Sequence, residues 1–155
     1  MKLYSLQRTQ ILSIDIKQAW NFFSNPSNLK TITPPWLGFQ ITSELPEKIY
    51  PGLLITYQVT PVLGIPMDWV TEISQVQEPH FFIDEQRLGP YQFWHHQHVF
   101  KETPNGLEMR DIVNYSLPLG ILGQFAHSLF VSEQLKEIFD FRYKVLDQKF
   151  GKATA

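Results

Sequence analysis

The chain contains no cysteine. That excludes disulfides, thiol nucleophiles and cysteine-ligated zinc, and it fits a reducing compartment, so a cytoplasmic location is expected. Positive charge is also scarce: 13 Lys and Arg stand against 15 Asp and Glu, with no basic cluster. A nucleic-acid surface needs an excess of cations on one face, so that partner is not expected. Long apolar runs are missing. The most apolar stretch, "LPLGILGQFAHSLFV" at 117–131, is broken by Pro118, Gly120, Gly123 and His127. It falls short of the ~20 apolar residues that span a bilayer. The opening "MKLYSLQRTQILSI" lacks the continuous apolar segment of a secretion signal. No G-x-G-x-x-G, P-loop or G-x-S-x-G occurs. Dinucleotide, phosphate and serine-nucleophile chemistry therefore have no support, and no cofactor is expected.

What the chain does have is aromatic mass: twelve Phe, six Tyr and four Trp. Such residues fill cores and also line apolar pockets. The length of 155 residues suits one domain, 1–155, with no internal repeat or linker. Residues 2–12 alternate and are rich in strand formers. Asp15 is a good N-cap, and Ile16, Ala19, Trp20 and Phe23 recur at the spacing of one helical face. Pro26 opens a second short helix that must stop before Pro34 and Pro35.

The period then changes. Segments 39–44, 53–61, 67–77, 80–87, 91–101 and 107–117 read as strands, separated by proline, glycine and asparagine turns. Six such strands without intervening helices predict an antiparallel meander. From about Gly120 to Phe150 proline disappears. Phe125, Leu129, Leu135, Phe139, Arg142, Leu146 and Phe150 mark one side of a long helix. The expected class is α+β, in the order strand, two short helices, six strands, long helix.

That order, with "NPSNLKTITPPW" after the first helix, "GPYQFWHHQHVF" and "DIVNYSLPLGILG" late in the sheet and "IFDFRYKVL" in the last helix, resembles the START-like (SRPBCC) superfamily. The likeness is greatest to its small bacterial members labelled cyclase/dehydrase by analogy, and it covers nearly the whole chain. The resemblance implies a helix-grip fold: a curved antiparallel sheet of about seven strands wrapped around the C-terminal helix, with an internal apolar cavity. It implies lipid, polyketide or aromatic ligands but does not choose among them, because function on shared folds lives in the site.

The segment "GPYQFWHHQHVF" carries three of the five histidines. Alternation along 91–101 places Trp94, His96, His98 and Phe100 on one face and His95 on the other. Along 107–117, Met109, Asp111, Val113 and Tyr115 form the apolar set. A two-residue Asn105-Gly106 loop or a four-residue 103–106 loop puts the two apolar sets on one face. The four-residue loop sets His98 opposite Asp111, His96 opposite Val113 and Trp94 opposite Tyr115. Burying two imidazoles and a carboxylate unpaired costs several kcal/mol. A His98–Asp111 hydrogen bond is therefore expected, with His96 and the Tyr115 hydroxyl nearby.

Three roles compete for His96, His98 and Asp111: a satisfied polar network in a cavity wall, a metal site, and acid–base catalysis by His98 backed by Asp111. The network is the leading expectation, and no tightly bound transition metal is expected at these three residues. The candidate ligand cavity comprises Trp69, Trp94, His96, His98, Phe100, Met109, Asp111, Val113, Tyr115, Phe125, Leu129 and Phe139. Trp69, Thr71 and Ile73 share a face and read as wall, and Trp36 reads as packed, with a place on the rim of the cavity mouth as the alternative. A buried Arg142 needs a carboxylate, with Glu85 and Asp111 as candidates; the alternative is that it snorkels to the surface. For the strand 80–87, a tight Gly89-Pro90 turn puts Glu85 on the Trp94 face and a bulge puts Asp84 there; the sequence leaves both open. The expected partner is a hydrophobic small molecule. The alternative is a cofactor-independent enzyme of the cyclase, dehydratase or hydrolase kind using the His–Asp pair.

Overall fold

Strand formers dominate everywhere except three short stretches and the C-terminus, and the computed structural model follows that division. It describes residues 2–62, 64–120 and 130–153. The order is β1 (Tyr4–Leu12), α1 (Ile16–Phe23), two 3₁₀ turns (Pro26–Ile32 and Pro35–Leu37), β2 (Gln40–Ile41), β3 (Leu54–Val62), β4 (Ile65–Gln77), β5 (Phe81–Leu88), β6 (Phe93–Thr103), β7 (Gly106–Ser116) and α2 (Ser132–Phe150). All seven strands join one antiparallel sheet in the order β1-β7-β6-β5-β4-β3-β2. Register shifts within β3–β4 and β4–β5 supply the local bends that curve it. This is an α+β helix-grip fold, as the order of elements predicts.

Local chemistry sets the boundaries. The Asp15 carboxylate accepts from the Gln18 backbone N–H at 2.7 Å, and Gln18 returns a bond to the Asp15 N–H at 3.2 Å. This capping box fixes the start of α1. Ile16, Ala19, Trp20 and Phe23 are buried, as their spacing requires. The second helix is present as a 3₁₀ segment with Pro26 in its first turn. The strand expected at 39–44 shrinks to two residues. Helix α2 is 19 residues long and ends at Gly151. The expectation that it starts near Gly120 falls partly on residues 121–129, outside the described residues, as do Phe125 and Leu129.

Two apolar clusters hold sheet and helices together. One joins Trp20 and Phe23 of α1 to Phe82, Phe100, Leu107, Met109 and Leu146. The other joins Trp94, Val113 and Tyr115 of the sheet to Leu135 and Phe139 of α2. Polar contacts fix the axial position of α2: the Gln10 amide donates to the Asp147 carboxylate at 2.7 Å and to the Tyr143 carbonyl at 3.0 Å.

The β6–β7 register is the one that brings the histidines inward. His98 lies opposite Asp111, His96 opposite Val113 and Trp94 opposite Tyr115. The loop is tighter than the four-residue version: Thr103 pairs with Gly106 across Pro104-Asn105. Both geometries give the same facing. Gly106 adopts φ +122°, and a Cβ there would sit 2.4 Å from the Leu12 carbonyl oxygen, so the turn needs glycine.

Candidate functional site

Between the sheet and α2 lies a cavity of about 440 Å³. Five of the expected cavity residues line it: Trp69, Trp94, His96, His98 and Phe139. Thr71 and Ile73 line it too, as expected of the wall. Phe100, Met109, Val113 and Tyr115 are buried on the same face but are not part of the lining. Phe100 packs on Trp20 and Phe23, and Tyr115 stacks on Tyr4 at 5.6 Å. Alternation put them on the correct face, but Phe100 and Met109 pack into the cluster of α1 and Val113 and Tyr115 into that of α2 instead of facing the cavity. Asp111 sits behind the imidazoles, beside a small void that it shares with Met109 and Arg142. Trp36 is 45 % exposed, so the packed reading of that residue does not hold.

The polar part of the wall contains a group the sequence left open. In β5, Asp84 pairs with His96 and Phe82 with His98, which turns Asp84 toward the imidazoles. Glu85 instead meets Arg87 at 3.0 Å. The connection after β5 is not the tight Gly89-Pro90 turn. The Gln86 side chain closes it, donating to the Tyr91 carbonyl at 2.6 Å and accepting from the Tyr91 N–H at 3.2 Å. That longer loop changes the facing of β5.

Asp84 takes the partner expected of Asp111. His98 Nε2–H donates to Asp84 Oδ2 at 2.6 Å, whereas His98 Nδ1 is 3.4 Å from Asp111. It is His96 that uses Asp111, donating from Nε2 at 2.8 Å. His96 Nδ1 lies 3.3 Å from Asp84 Oδ2. The Trp94 indole N–H donates to the other Asp84 oxygen at 3.2 Å. Arg142 Nη2 donates to His98 Nδ1 at 3.3 Å and lies 3.4 Å from Asp111. Asp111 is thus the carboxylate Arg142 needs, as one of the two candidates. Phe82 stacks on the His98 ring at 4.1 Å, and Phe139 meets the edge of His96 at 5.6 Å.

The contacts assign the protons. His98 donates through Nε2 and accepts through Nδ1, so it is neutral. His96 faces a carboxylate at each nitrogen, so it holds both protons. Two carboxylates, one guanidinium and one imidazolium then sum to zero, the arrangement that least penalises buried charge. The acidities agree. Burial lowers the His96 pKa, but the Asp84 charge and the bonds to Asp111 and Asp84 outweigh it and leave it raised. Burial, then the charge of His96, holds His98 below its ordinary value despite Asp111 and Asp84. Burial favours the neutral form of Asp84, but His96 and His98 hold it well below the ordinary carboxylate range. Burial is likewise overcome at Asp111, chiefly by Arg142 and then by the two histidines.

All four imidazole nitrogens therefore have a protein partner. A general base needs a free lone pair within reach of the proton it removes. In this arrangement neither histidine has one, and Asp111 is screened from the cavity by the histidines it holds.

No protein-family model and no curated protein matches the chain. Solved structures do. Its fold is similar to that of the KanY protein, with a TM-score of 0.71 at 14% identity over 96% of this chain and 98% of that one. Protein CV1439 from Chromobacterium violaceum gives 0.68 at 10% identity, covering 95% and 96%. Protein Ms6760 from Mycobacterium smegmatis gives 0.62 at 19% identity, covering 94% and 96%. At such identities the likeness establishes the fold alone. Among the described residues no helix is long and apolar enough to cross a membrane.

Proposed function

We propose that this chain is a START-like binding protein for a hydrophobic, ring-bearing small molecule held between the sheet and α2. The observation that carries this reading is the cavity of about 440 Å³, within the size range of small-molecule sites. Its lining is mostly apolar. Aromatic rings surround it, with Tyr57 stacked on Trp69 at 5.7 Å and Trp69 edge-on to Trp94 at 5.4 Å. Among the described residues, the charged groups that meet the cavity are Asp84, His96, His98 and Arg142, gathered on one wall. Apolar burial supplies the affinity, and that wall orients the ligand's polar end. The occupied imidazole nitrogens are why binding is favoured here over acid–base turnover.

The test is direct. Native mass spectrometry of protein purified without organic solvent should reveal a co-purified apolar compound. The fluorescent probe anilinonaphthalene sulfonate should bind saturably. Ile138 lines the cavity from α2, so Ile138→Trp fills it and should weaken probe binding about tenfold or more. No retained compound together with no saturable binding, or equal binding in Ile138→Trp, refutes the proposal.

A further inference from the structure

The polar wall has a second capacity, independent of whether the cavity holds an organic ligand. We propose that Asp84, His96 and His98 form a mononuclear site for a divalent first-row transition ion such as Zn²⁺, Co²⁺ or Fe²⁺. This donor set differs from His96, His98 and Asp111, at which no metal is expected. In that set the carboxylate is consumed as a hydrogen-bond acceptor. In the structure Asp84 stands on one side of the imidazole pair and Asp111 on the other, so one can ligate while the other orients.

Three observations carry the proposal. The first is convergence. One ring nitrogen each from His96 and His98 and a carboxylate oxygen of Asp84 lie within 4.8 Å of one another. Ligands ~2.0–2.1 Å from a tetrahedral ion stand ~3.3 Å apart. The His96–Asp84 separation is already 3.3 Å, and the His98–Asp84 separation of 2.6 Å must open by less than an ångström. Two imidazoles and one carboxylate are the donor chemistry of borderline divalent ions rather than of calcium or magnesium.

The second observation is orientation of the ligands. A histidine ligates through one nitrogen and needs an acceptor for the proton on the other. Asp111 Oδ1 lies 2.8 Å from His96 Nε2 and 3.4 Å from His98 Nδ1, so one carboxylate serves both rings. Loading the ion requires His96 to release its Nδ1 proton and His98 to carry its proton on Nδ1 instead of Nε2, which gives up the Arg142 bond; the freed lone pairs of both rings then face Asp84. The Trp94 indole meanwhile holds Asp84 Oδ1 at 3.2 Å and leaves Oδ2 for the ion.

The third is access. All three side chains line the cavity, and Asp84 keeps 16 % of its side chain open. An ion there can accept further ligand atoms from water or from a bound molecule. Arg142 opposes the ion, since its guanidinium lies 3.4 Å from Asp111 and 3.3 Å from His98. Two carboxylates, the guanidinium and a divalent ion sum to +1. That uncompensated charge should weaken binding relative to a charge-neutral site.

The experiment titrates Co²⁺ into chelator-treated, tag-free protein at mildly alkaline pH. Visible d–d absorption reports the coordination. One equivalent should bind saturably, with paramagnetically shifted N–H resonances from two histidines. Asp84→Asn and His96→Ala should each weaken binding at least about 100-fold, and Asp111→Asn about 10- to 100-fold through loss of orientation. His95, on the opposite face of β6, is the control, and His95→Ala should bind as the parent does. Circular dichroism checks each variant's fold; if His96→Ala does not fold, the nearly isosteric Asp84→Asn decides. Absence of a saturable spectrum in the parent overturns the proposal. So does binding that survives Asp84→Asn, or that is lost in His95→Ala.

Discussion

Removing Asp84 should destabilise the protein more than removal of any other single acid in the sheet except Asp111. In Asp84→Ala, three donors lose their acceptor at once: His98 at 2.6 Å, His96 at 3.3 Å and the Trp94 indole at 3.2 Å. His96 and His98 are buried and cannot turn to bulk water. Breaking one partner from a buried charge network typically costs about 3–5 kcal/mol. Asp84 keeps 16 % of its side chain open, so water entering from the cavity offsets part of this, and about 3 kcal/mol is expected. An unfolding entropy of ~2.1 cal/mol/K per residue over 155 residues gives ~0.3 kcal/mol/K. The melting temperature should therefore fall by about 10 °C. Urea unfolding of the metal-free protein at neutral pH, followed by circular dichroism, measures this. Trp94→Phe calibrates it: losing one donor to a charged acceptor should cost about 1.5–3 kcal/mol, with some ring volume. An Asp84→Ala variant within about 1 kcal/mol of the parent, with an unchanged urea slope, would refute the reasoning.

Other outcomes follow from the same geometry. Asp84, Asp111 and His98 all have depressed pKa values in the fold. Their contribution is full above the unfolded values, about 4 for the acids and about 6.5 for histidine, and is lost as pH falls through the folded ones. His96 is raised, so its contribution is full below about 6.5 and is lost as pH rises through the folded value. Urea midpoints of the metal-free protein should fall on both sides of neutrality, and His96→Phe should abolish the decline on the alkaline side; a persisting decline contradicts the assignment. Gly106→Ala forces a side chain into φ +122° and against the Leu12 carbonyl, at a cost of about 1–3 kcal/mol by the same urea assay. A neutral effect would show that the turn is not tightly locked. Phe139→Ala removes a ring that already borders the cavity, so its destabilisation should lie near the low end of the usual range, about 3 kcal/mol. A loss of under about 1 kcal/mol, roughly a third of that, would mean the helix end of the cavity is barely packed.

Much of the fold was legible because its signals are local. The capping box at Asp15 and Gln18, the i, i+3, i+4, i+7 face of α1 and the turn residues between strands all act over a few positions. The β6–β7 facing was legible for the same reason. Either plausible loop length preserved the parity, so the histidine side of the strand did not depend on knowing the turn. What local signals did not show is which helix or strand covers each buried residue. Phe100 and Trp94 sit on the same face of one strand, yet Phe100 packs on α1 while Trp94 borders the cavity.

The chemistry of the site turned on a single parity that local rules do not fix. Asp84 or Glu85 faces the histidines according to the length of the β5–β6 connection, and "LGP" reads as a tight turn. The structure closes that connection with the Gln86 side chain, bonded to both backbone groups of Tyr91. A side-chain closure has no periodicity to detect. Charge accounting offered the missing signal. Once His96, His98 and Arg142 share a buried region, Asp111 alone cannot serve all three, because two imidazoles and a guanidinium present more N–H groups than one carboxylate accepts. A second buried acid is then required. The two residues open to that role were Asp84 and Glu85. Only Asp84 also leaves Glu85 free to pair outward with Arg87, as it does at 3.0 Å. Balancing donors and acceptors across strands therefore selects the acid that strand parity alone left undecided.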